Sequence, residues 1–420
     1  MQPLDTCPEG RSRLVLSRRG FLGAAATFTA WAGMPRLALA GGADPRFLVV
    51  VLRGALDGLS AVAPAGDPDL VRMRGEVALG GARKGVPLDD LFVLSPQLPG
   101  LARLYAAREA VIVHAVATPY RDRSHFDGQD VLESGVVVPG GSDTGWLGRA
   151  LAALPSGGAA RTGGGFAAGA AVPLVMRGPA PVATWLPAGF PEASSDTRSR
   201  LLDLYRHTDS GLAAAMEAGL RLSAVSGGEQ VMAASALAFT DAEATRRARQ
   251  VEEVAAVAGR LLAEPGGPRI GTIDIDGWDT HADSDPTKGR LGQSLAALDG
   301  ALGALERSLG PAWKETAVLI VTEFGRTVAI NGTGGTDHGT ATTAFLVGGA
   351  VAGGRVVADW PGLKPKALYE GRDLMPTTDL RAMAKGVLRD HLGFGETLLT
   401  TAVFPGSETV RPVDGLIRAG

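Results

Sequence analysis

Six short, mostly apolar runs constrain the fold more than any other feature of this sequence, and the first of them, Phe47–Leu52, shows no alternation of apolar with polar residues. A strand with one face in water alternates, whereas a strand buried on both faces reads as a continuous run of Val, Ile and Leu. Segments with helical spacing of apolar residues lie between several runs. This order predicts an α/β fold with a mostly parallel central sheet sandwiched between helices. The predicted strands are Phe47–Leu52, Ala110–Ala115, Val172–Met176, Ile270–Ile275, Ala317–Val321 and Ala344–Val347.

Helical patterns and loops complete the layout. The 59 glycines and 26 prolines among 420 residues indicate many turns, and 155–170 reads as a loop of small residues. The mostly helical region 179–265 is a candidate insertion or cap, but no clear linker separates it, so we expect one domain over 41–420. The predicted helices are Leu98–Arg108, Trp146–Leu154, Asp196–Leu222, Asp241–Leu262, Gly289–Leu309 and Thr378–His391, the last starting with a capping-type Thr.

The first forty residues have the three-part build of an export signal. A basic head ends in Arg18–Arg19, the apolar stretch Gly20–Met34 follows, and Ala38-Leu39-Ala40 forms an A-x-A cleavage site. Ser17–Leu22 resembles the twin-arginine motif, so we expect a signal peptide over 1–40, the twin-arginine translocase as a partner, and a periplasmic or exported protein. The 15-residue apolar stretch is shorter than a membrane span, so we expect none; a membrane anchor or a chance arginine pair is the alternative.

Charge and cysteine content exclude several kinds of function. The 41 basic and 44 acidic residues give a net charge of −3, so we expect no nucleic-acid partner. The only cysteine, Cys7, lies within the leader. The chain after cleavage therefore has no disulfide, no thiolate metal ligand and no cysteine nucleophile.

Polar residues cluster in the segments that flank the predicted strands. In open α/β sheets, ligands bind beyond the carboxyl ends of the strands. Each of five such segments carries a carboxylate, and three carry a histidine within two residues of an aspartate. We therefore predict one shared polar site at this edge of the sheet. The segments are 53–58, 118–130, 276–281, 322–327 and 334–340.

The residue types in these segments predict a divalent metal. Imidazole with carboxylate suits Zn²⁺, Mn²⁺ or Fe²⁺, whereas carboxylates alone suit Mg²⁺ or Ca²⁺. The other histidines have simpler interpretations, with His114 in a strand core and His207 and His391 at helix ends. The candidate metal ligands are Asp57, Asp127, Asp276, Asp279, His281, Glu323, Asp337 and His338.

Ser124-His125 is the best candidate for nucleophilic chemistry. A hydroxyl needs a base or a metal to react near neutral pH, and His125 or a bound cation can supply either. Arg121 and Arg123 flank the pair and can hold a phosphate or sulfate group. The sequence contains no nucleophile elbow, P-loop or dinucleotide fingerprint.

Each of these features has a plainer interpretation when it is taken alone. Asp57-Gly58 and Asp337–Gly339 are typical of turns, and Asp279-x-His281 is typical of a helix cap. Arg121–Arg123 is also typical of a solvated charge run. The five segments together favour a shared site over five unrelated loops.

Several long motifs resemble the bacterial domain-of-unknown-function family 1501, a distant relative of the alkaline phosphatase and sulfatase superfamily. They are the twin-arginine leader, LRGALDGL (52–59), ATPYRDRSHFDGQDVLESG (117–135), DGWDTH (276–281), TEFGRT (322–327), GGTDHGT (334–340) and PTTDLR (376–381). The resemblance covers nearly the whole chain. It implies an alkaline-phosphatase-like α/β sandwich with a two-metal site that cleaves phosphate or sulfate esters.

The resemblance also implies roles for individual positions. Asp57 matches the metal-binding Asp after the first strand, Ser124 the nucleophile, and His338 the last metal-binding His. Asp276 or Asp279 with His281 matches an Asp–His ligand pair at inexact spacing. Where relatives have Asp-His or Asp-Asn this chain has Glu323-Phe324, and Phe324 cannot bind a metal. A C/S-x-P-x-R sequence is absent, so a sulfatase-type formylglycine is not expected.

Three functions follow as hypotheses. The first is an exported metal-dependent hydrolase of phosphate, sulfate or related anionic esters, with a small anionic ester as its partner. The second is a non-catalytic member that binds one metal or an envelope polymer such as a polysaccharide. The third is a metal-dependent mutase or transferase, because a fold does not fix a reaction.

Overall fold

A central sheet organises the computed structural model, which describes residues 44–75, 84–154, 164–169, 171–185, 202, 205–206, 213, 216–217 and 241–419. The predicted leader with Cys7, His207 and most of the predicted helix Asp196–Leu222 lie outside the described residues. No helix in the described part of the chain combines the length and the apolar character required to cross a membrane.

Strands and helices alternate along much of the described chain. The strands are β1 (Arg46–Leu52), β2 (Val62–Ala63), β3 (Val86–Pro87), β4 (Val93–Leu94), β5 (Ala110–Ala117), β6 (Gly165–Ala168), β7 (Val182–Trp185), β8 (Ile270–Ile275), β9 (Thr316–Val321), β10 (Thr342–Val347), β11 (Arg355–Val357) and β12 (Thr378–Asp379). The helices are α1 (Gly58–Ala61), α2 (Pro99–Ala106), α3 (His125–Ser134), α4 (Trp146–Ala153), α5 (Asp241–Ala263), α6 (Arg290–Leu309), α7 (Leu380–Leu392) and α8 (Glu396–Leu398).

The main sheet has the strand order β11-β5-β10-β9-β1-β8-β6-β7, and β12 pairs with β5. Its pairings are parallel except for those of β10, which runs antiparallel to both β5 and β9. The expected mostly parallel sheet is therefore confirmed. A small antiparallel sheet of β2, β4 and β3 lies beside it.

The strand register places the five polar segments at one edge of the sheet. Leu52 at the end of β1 pairs with Ile275 at the end of β8, and Val51 pairs with Val321 at the end of β9. Because β10 is antiparallel, its first residue, Thr342, lies opposite Val116 near the end of β5. The segments after β1, β5, β8 and β9 and the segment before β10 therefore meet at this edge.

Apolar side chains on both faces of the sheet hold the helices in place. Alternate β1 residues point to opposite faces, so Leu48 packs with α2, α5 and α6, while Phe47 packs with α4 and α7. All seven residues of β1 are buried, which explains its continuous apolar sequence. Helices thus cover both faces and leave the loop edge available for a site.

One predicted strand is wrong. Val172–Met176 contains a 3₁₀ turn over Leu174–Met176 instead of a strand. Pro173 has no amide hydrogen for a sheet ladder, and the Val175 amide donates to the Glu133 carboxylate at 3.0 Å. The amides of Pro173 and Val175 are therefore both lost to a sheet ladder at this run.

Other differences concern short elements. The predicted loop 155–170 contains β6, whose Gly/Ala-rich sequence lacks the β-branched pattern of a buried strand. The predicted helical region 179–265 contains β7, and its α5 packs against α6. The last helix begins at Leu380, because Asp379 rather than Thr378 caps it by accepting from the Arg381 amide.

Candidate metal centre

Three histidines and one aspartate converge where the strand ends meet. The Nε2 atom of His338 lies 3.0 Å from Nε2 of His125 and 3.0 Å from Nε2 of His281. Asp279 Oδ1 lies 3.3 Å from His338 Nε2 and 3.0 Å from His281 Nε2, and Asp279 Oδ2 lies 3.6 Å from His125 Nε2. His125, Asp279 and His338 form a set whose ligand atoms lie close enough to hold one metal ion.

Each member of this set comes from a different loop. His125 is the first residue of α3, whose N-cap is Ser124, so the end of β5 and the helix start fix its position. Asp279 follows β8, and His338 precedes β10 in a bridge with Arg326. The sheet topology is therefore what brings these distant residues together.

The outer ring nitrogens assign the tautomers of His125 and His338. His125 Nδ1 lies 2.8 Å from Glu323 Oε1, and His338 Nδ1 lies 3.0 Å from the Arg123 carbonyl oxygen. Both oxygens accept, so each Nδ1 carries a hydrogen, and the neutral ring then presents an Nε2 lone pair to the cluster. Metal-binding histidines are held in this way in proteins. His281 is held more loosely, with Nδ1 3.5 Å from Asp337 Oδ1.

The spacing of the converging atoms fits a divalent metal. Tetrahedral zinc bonds of ~2.0–2.1 Å place neighbouring ligand atoms ~3.3 Å apart. Here His125 Nε2 lies 3.0 Å from His338 Nε2 and 3.6 Å from Asp279 Oδ2, and His338 Nε2 lies 3.3 Å from Asp279 Oδ1. Two imidazoles and one carboxylate with an open position form a common catalytic zinc set, and the same set suits iron. Two facing Nε2 lone pairs repel unless a proton or a cation lies between them.

The charges in the cluster favour a cation. Contact with Asp279, and next with Glu323, raises the pKa of His125 to about 9. Partial burial disfavours the ionised form of Asp279, but hydrogen bonds from His125, His338 and Arg326 outweigh it and hold the Asp279 pKa well below its usual range. Without a metal, a proton therefore occupies His125 near neutral pH, and a metal must displace it.

Glu323 lies behind His125 rather than among the converging atoms. Its fully buried carboxylate accepts hydrogen bonds at Oε1 from His125 Nδ1, from the Gly54 amide at 2.8 Å and from Gln129 Nε2 at 3.2 Å. Burial raises the pKa of Glu323, but hydrogen bonds from donors that include His125, Thr322 and Gln129 more than reverse the effect and leave its pKa lowered. Arg53 orients Gln129 by donating to its Oε1 at 2.7 Å. The structure thus gives Glu323, predicted as a ligand, the position of an orienting group.

The Phe324 ring packs against the imidazoles of His125 and His338. Its ring stacks on His125 with centroids 5.0 Å apart and lies 5.3 Å from the His338 ring. A Cβ at Gly128 would lie 2.9 Å from the Phe324 ring, so a glycine lets α3 approach this closely. Phe324, which has no atom that can bind a metal, therefore packs against two of the candidate ligands.

The other predicted ligands lie outside the set of three. Asp57 is buried and pairs with Arg74 at 2.5 and 3.0 Å; burial raises its pKa, but Arg74 outweighs this and lowers it. Asp127 Oδ2 lies 3.3 Å from the Tyr120 hydroxyl, and Asp276 is exposed. Asp337 reaches the cluster only through His281.

Apart from His125, the predicted catalytic residues form hydrogen bonds or ion pairs with other groups of the protein. The Ser124 hydroxyl caps α3 through a long 3.5 Å hydrogen bond from the Asp127 amide. Arg121 donates to the Thr118 and Tyr120 carbonyl oxygens. Arg123 binds Asp373 at 2.8 Å and Glu370 at 2.5 Å.

Sequence reasoning missed three residues of the site. The buried Arg326 donates to Asp279 Oδ1 at 2.5 Å, and Gln129 orients Glu323. Arg372 donates to the His338 carbonyl oxygen and keeps a side chain that is 43% exposed. Arg326 and Gln129 lie inside the TEFGRT and HFDGQD motifs, but no spacing rule singles them out.

Comparisons with known proteins give a family and a set of distant structures. Residues 109–396, more than half of the chain, match the family model described as a protein of unknown function (DUF1501). No curated protein matches the chain.

Solved structures similar to the chain include a sulfatase, a phosphatase and a phosphonate ester hydrolase. The PsFucS1 sulfatase from Pseudoalteromonas sp. is 13% identical, with 90% of this chain and 74% of that chain covered and a TM-score of 0.41. A mutant of TAB5 alkaline phosphatase with Mg bound is 11% identical, with 75% and 94% covered and a TM-score of 0.39. The phosphonate monoester hydrolase of Agrobacterium radiobacter is 12% identical, with 83% and 74% covered and a TM-score of 0.38.

Proposed function

The chain belongs to the DUF1501 family, and we propose that it is an exported metal-dependent hydrolase of phosphate or sulfate esters or of a related anionic ester. The observation that carries the proposal is the convergence of His125, His338 and Asp279 with two Nε2 atoms anchored to face one point. Zn²⁺, Mn²⁺ or Fe²⁺ suits this donor set better than Mg²⁺ or Ca²⁺.

The residues of the set have separate tasks in this proposal. His125, His338 and Asp279 hold the cation, while Glu323 and the Arg123 carbonyl fix the two imidazoles. A bound divalent cation lowers the pKa of a nearby hydroxyl or water and neutralises charge that develops on the ester. Arg372, exposed beside His338, orients the anionic group.

Proton transfer is assigned to His281. Its side chain is 48% exposed, its Nδ1 faces Asp337 at 3.5 Å, and its Nε2 lies 3.0 Å from His338 Nε2, so Nε2 is the group beside the metal position that we assign to exchange a proton with the leaving oxygen. Ser124 is the proposed nucleophile, because it directly precedes His125 and the hydrogen bond that its hydroxyl accepts from the Asp127 amide is long, at 3.5 Å. Both ring nitrogens of His125 are engaged elsewhere, so the cation rather than His125 would activate Ser124.

Non-catalytic metal binding is the second candidate function. It is favoured by the engagement of Arg121 and Arg123 with protein groups and by the capping role of Ser124. A protein of this kind would take up the metal with the same residues and would hydrolyse no ester.

Export stays part of the proposal and depends on the leader sequence. The test of function uses the full chain, stripped with chelator and reloaded with Zn²⁺, Mn²⁺ or Fe²⁺, on a panel of aryl phosphate monoesters, phosphate diesters and sulfate esters. Metal-dependent turnover that disappears in His338→Ala supports the hydrolase. Metal uptake without turnover on any ester supports the binding protein instead.

A further inference from the structure

Arg326 places a permanent positive charge at the metal centre. Its side chain is fully buried and donates to the carbonyl oxygens of Ala55 at 2.9 Å, Gly54 at 2.8 Å, Trp278 at 3.1 Å and Thr336 at 3.2 Å. A guanidinium does not lose its proton in proteins. Four backbone contacts fix this charge in position, so it cannot move aside for another cation.

The guanidinium occupies one side of Asp279. Arg326 Nη2 lies 2.5 Å from Oδ1, the oxygen that also lies 3.0 Å from His281 Nε2 and 3.3 Å from His338 Nε2. The other oxygen, Oδ2, faces His125. The guanidinium thus bonds Oδ1 and leaves Oδ2, the oxygen beside His125, for the candidate metal.

We propose that the centre binds one divalent cation, held by His125, His338 and Asp279. Arg326 is a positioning residue that holds Asp279, and its positive charge takes the place of a second divalent cation. The inference rests on the proposed function for the metal itself. A second divalent ion at His281 and Asp337 would have to share Asp279 Oδ1 with the guanidinium at close range. Like charges at that distance repel, and the buried guanidinium has no escape to solvent.

The proposal gives His281 a different place from His125 and His338. His281 is the most exposed of the three, its Nδ1 anchor is the longest, and it is absent from the set that can hold one ion. The predicted ligands His281 and Asp337 then lie beside the metal position as half-exposed groups that do not hold the ion.

Metal stoichiometry tests this proposal without any assay of activity. The full chain is cleared of metal, titrated with Mn²⁺ or Zn²⁺ by calorimetry and checked by elemental analysis. We expect one equivalent in the wild type, one equivalent in His281→Ala with affinity reduced less than about tenfold, and a loss of more than about a hundredfold in His338→Ala. Two equivalents in the wild type, one of them lost in His281→Ala, would overturn the proposal.

Variants of Arg326 test its role directly. Arg326→Lys keeps the charge and should still bind one equivalent, whereas Arg326→Gln removes it and should admit a second equivalent at His281 and Asp337. A single equivalent in a folded Arg326→Gln contradicts the role of the guanidinium; if this variant does not fold, the wild type and His281→Ala decide. Failure of the proposed function has another signature, namely one bound equivalent without ester hydrolysis.

Discussion

Replacing Glu323 with Gln removes one charge from the metal centre while keeping its shape. The carboxylate accepts at Oε1 from His125, Gly54 and Gln129, and an amide oxygen in the same place keeps all three donors. The amide nitrogen then faces the Thr322 hydroxyl, which is 2.8 Å from Oε2. That hydroxyl can accept from it, so Glu323→Gln should fold as the wild type does.

The size of the effect follows from what the charge does to His125. In the wild type, the charged Glu323 carboxylate accepts a hydrogen bond from His125 Nδ1, and this makes Nε2 of the same ring a better electron-pair donor to a metal. The neutral amide of Glu323→Gln accepts a weaker hydrogen bond, so this effect is reduced. Loss of such an orienting carboxylate costs about 10–100-fold in metal affinity, or about 1.4–2.7 kcal/mol. The pKa of His125, about 9 in the wild type, should also fall, so metal binding near pH 7.5 should release less than the wild-type value of about one proton.

Titration calorimetry in two buffers of different ionisation enthalpy measures both quantities. The affinity is corrected for proton competition with the measured His125 pKa, and thermal unfolding confirms that the variant is folded. Asp127→Asn is the matched control. It removes a carboxylate from the first turn of α3, two residues after His125, and Asp127 is not one of the three candidate ligands. A corrected affinity of Glu323→Gln within twofold of wild type, or an equal loss in Asp127→Asn, would refute the reasoning.

Three further predictions concern stability and the nucleophile. Asp57→Asn leaves the buried Arg74 without its counter-charge and should destabilise the fold by about 3 kcal/mol in denaturant unfolding, with metal affinity unchanged. The raised pKa of His125 means that protonated His125 stabilises the metal-free fold fully below pH ~6.5. The free energy of unfolding should then fall by about 2–3 kcal/mol as the pH rises through 9, while the metal affinity increases. A free energy of unfolding that rises over that interval contradicts this prediction. Ser124→Ala should cost about 0.5 kcal/mol of capping but roughly a thousandfold in kcat, and a kcat within tenfold of wild type would assign the attack to water.

The sheet could be predicted from the sequence because burial on both faces leaves a direct mark on the residues. Phe47–Leu52 is a continuous apolar run, Ile270–Ile275 has isoleucines at both ends and in its middle, and the parallel pairing of the two follows from the helices between them. The shared edge then follows from topology, which is why His125, His281 and His338 could be expected to meet. Edge strand β7 and Gly/Ala-rich β6 lack this apolar pattern and could not be predicted from it. Val172–Met176 has the apolar pattern of a buried strand but forms a 3₁₀ turn.

The roles within the site could not be predicted, because they depend on side-chain directions that no spacing encodes. Glu323 follows β9 as a surface ligand would, yet its carboxylate turns inward to the Gly54 amide and His125. Arg326 reads as an ordinary loop arginine, but its charge is satisfied by four carbonyl oxygens from three separate segments. Ligands and the groups that orient them share residue types, so only the structure separates them.

Anomalous diffraction from crystals of the full chain loaded with Zn²⁺ tests the central claim most directly. Data collected on both sides of the zinc absorption edge locate the ion without reference to activity. The account predicts one peak bonded at ~2.0–2.2 Å to Nε2 of His125, Nε2 of His338 and a carboxylate oxygen of Asp279. A loaded crystal with no peak there, or with its peak at Asp57 or Asp127, would contradict it.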